Sequence, residues 1–323
     1  MKSKRILAIV CVFVLLSALM LSLGSCSTQK EKYVVGISQL VTHDALDAAT
    51  EGFKQALIDK LGEDKVEFNF QNAANQNDVC ITIANSFVSS NVDLIMANGT
   101  AALQAAANAT VDIPILGTSI TEYGVALNID NFSGTVGGNV SGTSDLAPLD
   151  EQAQMIIDLV PTAKKVGLLY CSSEPNSEYQ VAVVREYLES KNIECVDYKF
   201  SDSNDVTLVT TQAVNDCDAI YIPTDNTAAS CAQTINGVAL PAKKPIIAGE
   251  AGICSGCGIA TLSISYYSLG YKTGEMAAKI LTGEADISEM PIEYDTNPVK
   301  KYNKTICDEL GIKIPEGYEA LGE

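Results

Sequence analysis

The chain has 323 residues and a hydrophobic fraction of 47%. That is enough apolar material for two ordinary domain cores and too much for a disordered polymer. Lysine and arginine number 21 against 40 aspartates and glutamates, a formal charge of -19. This balance argues against nucleic acid as a partner, because phosphates demand a basic surface.

Lys2, Lys4 and Arg5 precede an uncharged apolar run over 6–23. By length alone the run fits a single membrane anchor as well as an export leader. The residues that follow favour the leader. Leu23-Gly24-Ser25-Cys26 resembles the bacterial lipobox, which implies removal of 1–25 and lipidation of Cys26. Residues 26–32 are then a polar tether holding the body to the outer face of a membrane.

From residue 33 apolar strands alternate with helical stretches. A strand over 33–40 is followed by a helix over 44–62, whose apolar residues recur at helical spacing. Strand 65–71, helix 77–90, strand 92–99, helix 100–110 and strand 113–119 continue the rhythm. The Gly- and Ser-rich stretch 137–145 reads as a last strand leading into a crossover. A second series then begins: helix 148–161, strand 164–173, helix 176–192 and strand 193–200. It continues with helix 205–216, strand 217–225, helix 226–240, strand 244–250, strand 256–266 and a strongly amphipathic helix over 266–283. The expected fold is α/β, with two doubly wound, Rossmann-like lobes.

Ligands of such sheets bind beyond the carboxyl ends of the strands. There the first half offers Gln39, Thr42 and His43, then Asn98, Gly99 and Thr100, then Thr118 and Ser119. The second half offers Glu174 and Asn176, then Thr224, Asp225 and Asn226, then Glu250. Each alone reads as readily as a helix N-cap. Together, hydroxyls, amides and a few carboxylates suit a small polar ligand. A hydroxyl beside a helix amino terminus can cradle a carboxylate, and a carboxylate opposite can meet an ammonium.

Enzyme signatures are missing: no GxSxG, P-loop, HExxH or GxGxxG stands in the chain. His43 is the single histidine. It has no partner for a metal site or a triad, and a contact at the rim of the ligand site is favoured over a bystander role. No metal and no cofactor is expected. Eight cysteines remain in the body, including a lone CxxC at Cys254 and Cys257. One pair without a histidine cannot complete a zinc site, leaving a local disulfide or two free thiols.

Several stretches together carry a family resemblance: VVGISQLVTHDALDAATEGFKQAL, NGTAALQAAANAT with PILGTSITEY, VSGTSDLAPLDEQ, IYIPTDNTAAS and SYYSLGYKTGEMAAKILTGE. They resemble the type I substrate-binding lipoproteins of ABC transporters, and more narrowly the TrpX-like tryptophan-binding proteins. The resemblance implies lobe 1 at 33–146 plus 266–290 and lobe 2 at 147–265 plus 291–323, hinged by three crossings. It implies an amino acid ligand, aromatic for choice, with no catalysis. Thr100 and Ser119 would hold its carboxylate and Asp225 or Glu250 its ammonium. Gln39, Thr42, His43 and Tyr266 or Tyr123 would line the side-chain pocket. It also implies a monomer served by a membrane permease and ATPase. Another small ligand (a branched-chain amino acid, nucleoside or sugar) and a chemosensory receptor role are the alternatives.

Overall fold

The computed structural model describes residues 31–295 and 297–322; the leader and Cys26 lie outside the described residues. In chain order the first lobe runs β1 (Tyr33–Gln39), α1 (Asp44–Leu61), β2 (Val66–Asn72), α2 (Asn77–Ser89), β3 (Leu94–Asn98), α3 (Thr100–Ala109), β4 (Ile115–Ile120), α4 (Tyr123–Leu127) and β5 (Val140–Ser144). The second runs α5 (Leu149–Leu159), β6 (Lys165–Cys171), α6 (Pro175–Ser190), β7 (Glu194–Phe200), α7 (Val206–Asp216), β8 (Ala219–Ile222), α8 (Asn226–Ser230), α9 (Ala232–Ala239), β9 (Ile246–Ala248), α10 (Ala251–Cys257) and β10 (Ala260–Ser263). Then come α11 (Tyr266–Leu281), β11 (Glu293–Tyr294), β12 (Val299–Tyr302), α12 (Lys304–Leu310) and β13 (Glu319–Ala320).

The strands form two sheets, ordered β2-β1-β3-β4-β5-β11 and β7-β6-β8-β9-β10-β12-β13. All pairings in the first are parallel; in the second only β10 with β12 is antiparallel. Both halves therefore repeat one doubly wound order, and each sheet is covered on both faces. Side chains of successive strand residues go to opposite faces. Val35, Ile37, Leu94 and Met96 meet Phe53 and Met276 on one side of the first sheet, while Ile95, Ala97 and Ile115 meet Phe87 and Leu103 on the other. The second sheet divides likewise, with Leu168 and Tyr221 against Ile156 and Val184, and Ile220 and Ile222 against Val214 and Ile235.

Although α11 follows β10 of the second sheet, it packs against α1 of the first lobe. The two helices approach through small residues. A Cβ on Gly270 would stand 1.9 Å from the Ala49 carbonyl oxygen, and one on Gly52 2.0 Å from the Tyr267 carbonyl oxygen. Lys60 and Glu275 join the helices further along at 2.7 Å. The chain thus passes between the sheets three times: after β5, after β10, and between β11 and β12. The last crossing comes a few residues later than the 290/291 boundary, because Glu293 and Tyr294 still pair with Thr143 and Ser144 of β5.

Two other elements differ from the sequence expectation. The helix expected over 226–240 is broken at Cys231, whose φ of -110° and ψ of 10° leave the helical region. Cys257, at the start of the segment expected as a strand over 256–266, lies instead in α10, one turn from Cys254. All eight body cysteines are free thiols, so the pair takes the second of its two expected forms. Burial pushes both thiols up, which makes them poor nucleophiles. Among the described residues no helix is long and apolar enough to cross a membrane.

The α1–α11 contact generates a prediction. Gly270→Ala forces a methyl group onto backbone that cannot yield like a flexible side chain, so a loss of about 1–3 kcal/mol is expected. Urea denaturation of the variant against the parent measures it. An unchanged midpoint would mean the helices separate without cost.

Candidate functional site

The carboxyl ends of the two sheets face each other across a narrow cavity. His43, Leu46, Ser119, Thr121, Asp145 and Tyr266 wall it from the first lobe and α11; Asn176, Thr224, Asp225, Asn226, Ala229 and Glu250 wall it from the second. Three of these residues carry carboxylates and none is lysine or arginine.

Ser119 reaches the cavity through a backbone irregularity. Its φ is +56°, and the register of β4 against β5 shifts between Gly117 and Ile120. A non-glycine residue in the left-handed region costs on the order of 1–3 kcal/mol, and such strain gathers at functional sites. The Ser119 Oγ is buried without a hydrogen-bond partner.

Asp145 follows β5, tied by its N–H to the Ile120 carbonyl at 3.1 Å. Tyr266, the first residue of α11, donates its hydroxyl to Asp145 Oδ2 at 2.9 Å, while Oδ1 is buried without a hydrogen-bond partner. Burial pushes this carboxyl up to about 6; the Tyr266 and Thr121 hydroxyls oppose the rise and Glu250 adds to it.

The other carboxylates serve backbone. Glu250 caps α10, accepting from the N–H groups of Gly252 and Ile253; burial raises its carboxyl and nearby His43 opposes that. Asp225 caps α8 through Ala228 N–H at 2.7 Å and also accepts from Cys171 N–H at 2.7 Å and Ser177 Oγ at 2.8 Å. Burial first, then neighbouring Glu174, pushes it up. Glu174 accepts from the N–H and hydroxyl of Thr227, both at 2.8 Å, and from the N–H and Nδ2 of Asn226 at 2.9 and 2.8 Å.

Two hydrogen bonds cross the cleft from this clamped pair. Asn226 Oδ1 lies 3.3 Å from His43 Nε2, and Thr227 Oγ1 accepts from Asn75 Nδ2 at 2.9 Å. The lobes are closed on one another.

Of the residues expected at the site, His43, Ser119, Asn176, Thr224, Asp225, Asn226, Glu250 and Tyr266 share the cavity. The others stand elsewhere. Gln39 is satisfied inside the first lobe, donating to the Val41 carbonyl and Asp47 and accepting from Thr50. Asn98 donates to the Leu46 carbonyl and Thr50, beneath the cavity wall. Gly99 is the N-cap of α3. Thr118 turns to the helix side, in a hydroxyl chain with Thr143 at 3.2 Å and onward to Thr273 at 2.8 Å. Thr100 and Glu174 line an adjoining groove with Asn75 and Thr227, and Thr42 faces a second one with Asp44. Thr100, at the start of α3, and Ser119, on the β4 bulge, line different spaces and are not brought together as one cradle. Tyr123 is core, its hydroxyl on the Thr143 carbonyl at 3.1 Å.

Sequence reasoning missed Asp145, Thr121, Leu46 and Ala229. Asp145 had a usable signal, a carboxylate at the end of a strand poor in large side chains. The strand itself is read in the sequence, but only as the lead into a crossover and not as one whose end carries a site residue.

Two facing α/β lobes with a polar cleft at their strand ends define a two-lobed solute-binding protein. The chain belongs to the ABC transporter substrate binding protein family, which it matches over residues 34–321. It is 38% identical over 307 residues to the tyrosine-binding protein of Clostridioides difficile strain R20291, covering 90% of this chain and 88% of that one. Among solved structures it resembles an ABC domain from Streptococcus pneumonia in complex with L-Trp, with a TM-score of 0.84, 32% identity, and 88% and 96% of the two chains covered. It also resembles the ligand-free, open structure of a substrate binding protein with adhesive properties from Clostridium difficile, with a TM-score of 0.68, 37% identity, and 90% and 99% covered. The family binds solutes rather than transforming them.

Asp145 makes the ligand-free protein pH-sensitive in a defined direction. Its folded value, about 6, lies above the ordinary 3.8, so the native state keeps a proton that the unfolded chain releases between these values. The contribution to stability is complete below the unfolded value and is lost as pH rises through about 6. Asp145→Asn, which cannot ionise, should therefore gain roughly 2–3 kcal/mol over the parent at about pH 7.5 and little near pH 4. Ligand-free denaturation curves at both pH values test this; equal differences at the two would contradict it.

Proposed function

We propose that the chain is the extracytoplasmic, lipid-anchored receptor of an ABC importer, and that its cleft binds an aromatic amino acid as the zwitterion. The observation that carries this is the pair of unpartnered buried atoms, Asp145 Oδ1 and Ser119 Oγ, on adjacent strands of a cavity with carboxylates and no basic lysine or arginine. A buried carboxylate with a free oxygen calls for a donor, best a cation. An α-ammonium fits Asp145, and an α-carboxylate fits the Ser119 hydroxyl. Asp225 and Glu250, expected earlier to take the ammonium, already serve helix N–H groups, so Asp145 replaces them in that role.

The side chain of the ligand would lie along Leu46, Ala229 and the Tyr266 ring. That the tyrosine-binding relative and the L-Trp complex are both aromatic binders supports the ligand class. The lobe arrangement supports capture by closure. The L-Trp complex fits this structure better than the open, ligand-free one, with TM-scores of 0.84 and 0.68, although its identity is lower. A ligand touching both lobes shifts the population toward this closed form. The lipobox supplies the anchor, and a permease with its ATPase would receive the closed, loaded protein.

Isothermal titration of the purified body with L-tyrosine and L-tryptophan is expected to show one site per chain. Asp145→Asn should weaken it about a hundredfold, as expected for loss of one partner from a buried charge pair. Because the ammonium requires ionised Asp145, affinity is full above about pH 6 and falls up to about tenfold per pH unit below it. Heat from neither amino acid, or an affinity indifferent to Asp145→Asn, would reject the assignment.

A further inference from the structure

Two other orphaned atoms sit in the same cavity wall: Asn176 Oδ1 and His43 Nδ1, both buried without hydrogen-bond partners. Their chemical character is decided one residue further out. Glu174 Oε2 accepts from Asn226 Nδ2 at 2.8 Å, which turns the Asn226 carbonyl oxygen toward His43 Nε2, 3.3 Å away. A carbonyl oxygen cannot donate. The Nε2 atom must therefore carry the proton, and in the neutral ring Nδ1 is left as a lone-pair acceptor. The same Glu174 Oε2 accepts from Asn176 Nδ2 at 3.3 Å, as does the Thr224 carbonyl at 3.1 Å. Both are acceptors, so the Asn176 amide turns its Nδ2 to them and leaves its Oδ1 as the unpartnered acceptor in the wall.

We propose that Glu174, which does not line the cavity, is a positioning residue that makes this wall a pair of acceptors, Asn176 Oδ1 and His43 Nδ1, so that the captured ligand must offer a hydrogen-bond donor. The demand on the ligand rests on the cleft being the binding site proposed above; the orientation of the two amides and the ring does not. The acids sharing a cavity with His43 are Asp44, Asp47, Asp145, Asp225 and Glu250, and none supplies the Nε2 contact, which Asn226 makes. The donor can be the α-ammonium or a ring O–H or N–H of the side chain.

The chain contains one histidine, so long-range ¹H–¹⁵N spectra of the labelled, ligand-free protein, freed of any histidine tag, report His43 alone. The neutral ring is expected with its proton on Nε2. Glu174→Gln confronts Asn226 with an amide, which can reverse the Asn226 side chain and move the ring proton wholly or partly to Nδ1. Glu174→Asp keeps the carboxylate and should keep the parent tautomer. If Glu174→Gln does not fold, Asn226→Ala removes the oriented carbonyl and should release the same tautomer preference. A parent ring protonated on Nδ1, or an Nε2 proton undisturbed by these changes, overturns the proposal.

Titration with L-tyrosine and L-phenylalanine completes the test. Glu174→Gln should cost about tenfold in affinity, the order of one hydrogen bond. An equal loss for both ligands assigns the donor to the ammonium, and a loss for tyrosine alone assigns it to the ring hydroxyl. Unchanged affinity for both defeats the ligand-facing half. Binding of neither to the parent defeats the proposed function, and the tautomer result then stands or falls by itself.

Discussion

Taking a carboxylate out of water without giving it a cation is the constraint around which this molecule is arranged. In the closed cleft Asp145, Asp225 and Glu250 are all buried, with no lysine or arginine among the residues beside them. Burial is the leading cause of the raised value in each. Such a cavity is unfavourable when empty and becomes favourable when a cationic group enters. That is a way to make closure depend on ligand without any moving part beyond the two lobes. Neither lobe alone could do it, because each sheet leaves its strand ends open to solvent until the other covers them.

The carboxylates do not all contribute equally to that demand. Glu250 and Glu174 have their oxygens occupied by donors at the starts of α10 and α8, and Asp225 by Ala228 of α8 together with Cys171 and Ser177. They stabilise the helix termini that form the second lobe's wall. Asp145 has one oxygen held by Tyr266 and one without a hydrogen-bond partner, with the Thr121 hydroxyl nearby. Within the cavity lining, the division between satisfied and unsatisfied atoms sets Asp145 apart from the capping acids Asp225 and Glu250. The same division applies to the amides, where Gln39 is internally complete and Asn176 is not.

The architecture supports this by making one lobe boundary rigid and the others narrow. The glycine-lined contact between α1 and α11 fixes α11 to the first lobe, so Tyr266 at its start keeps a set position beside Asp145. The crossings are short segments after β5, after β10 and between β11 and β12, suited to a hinge. Closure brings the Asn226–Thr227 pair onto His43 and Asn75, with Glu174 holding the pair in place.

What the sequence determined by itself was the alternation of elements, the two-lobe division, the return of a late helix and the polar character of the strand ends. These follow from local periodicity, turn chemistry and the family's motifs, which depend on neighbours along the chain. It also marked His43, Ser119, Asn176, Asp225 and Glu250 as strand-end residues. The tertiary structure alone decided which of these still lacked a partner. Thr118 and Ser119 are adjacent and similar in chemistry, yet Thr118 joins a hydroxyl chain with Thr143 and Thr273 while the Ser119 hydroxyl is left without a partner. Asp225 and Asp145 are both acids at strand ends, yet two donors from distant segments and one from the helix it caps satisfy the first, while the second keeps an oxygen without a partner. Hydrogen-bond completion is a property of packing between residues far apart in sequence, and no pattern along the chain records it.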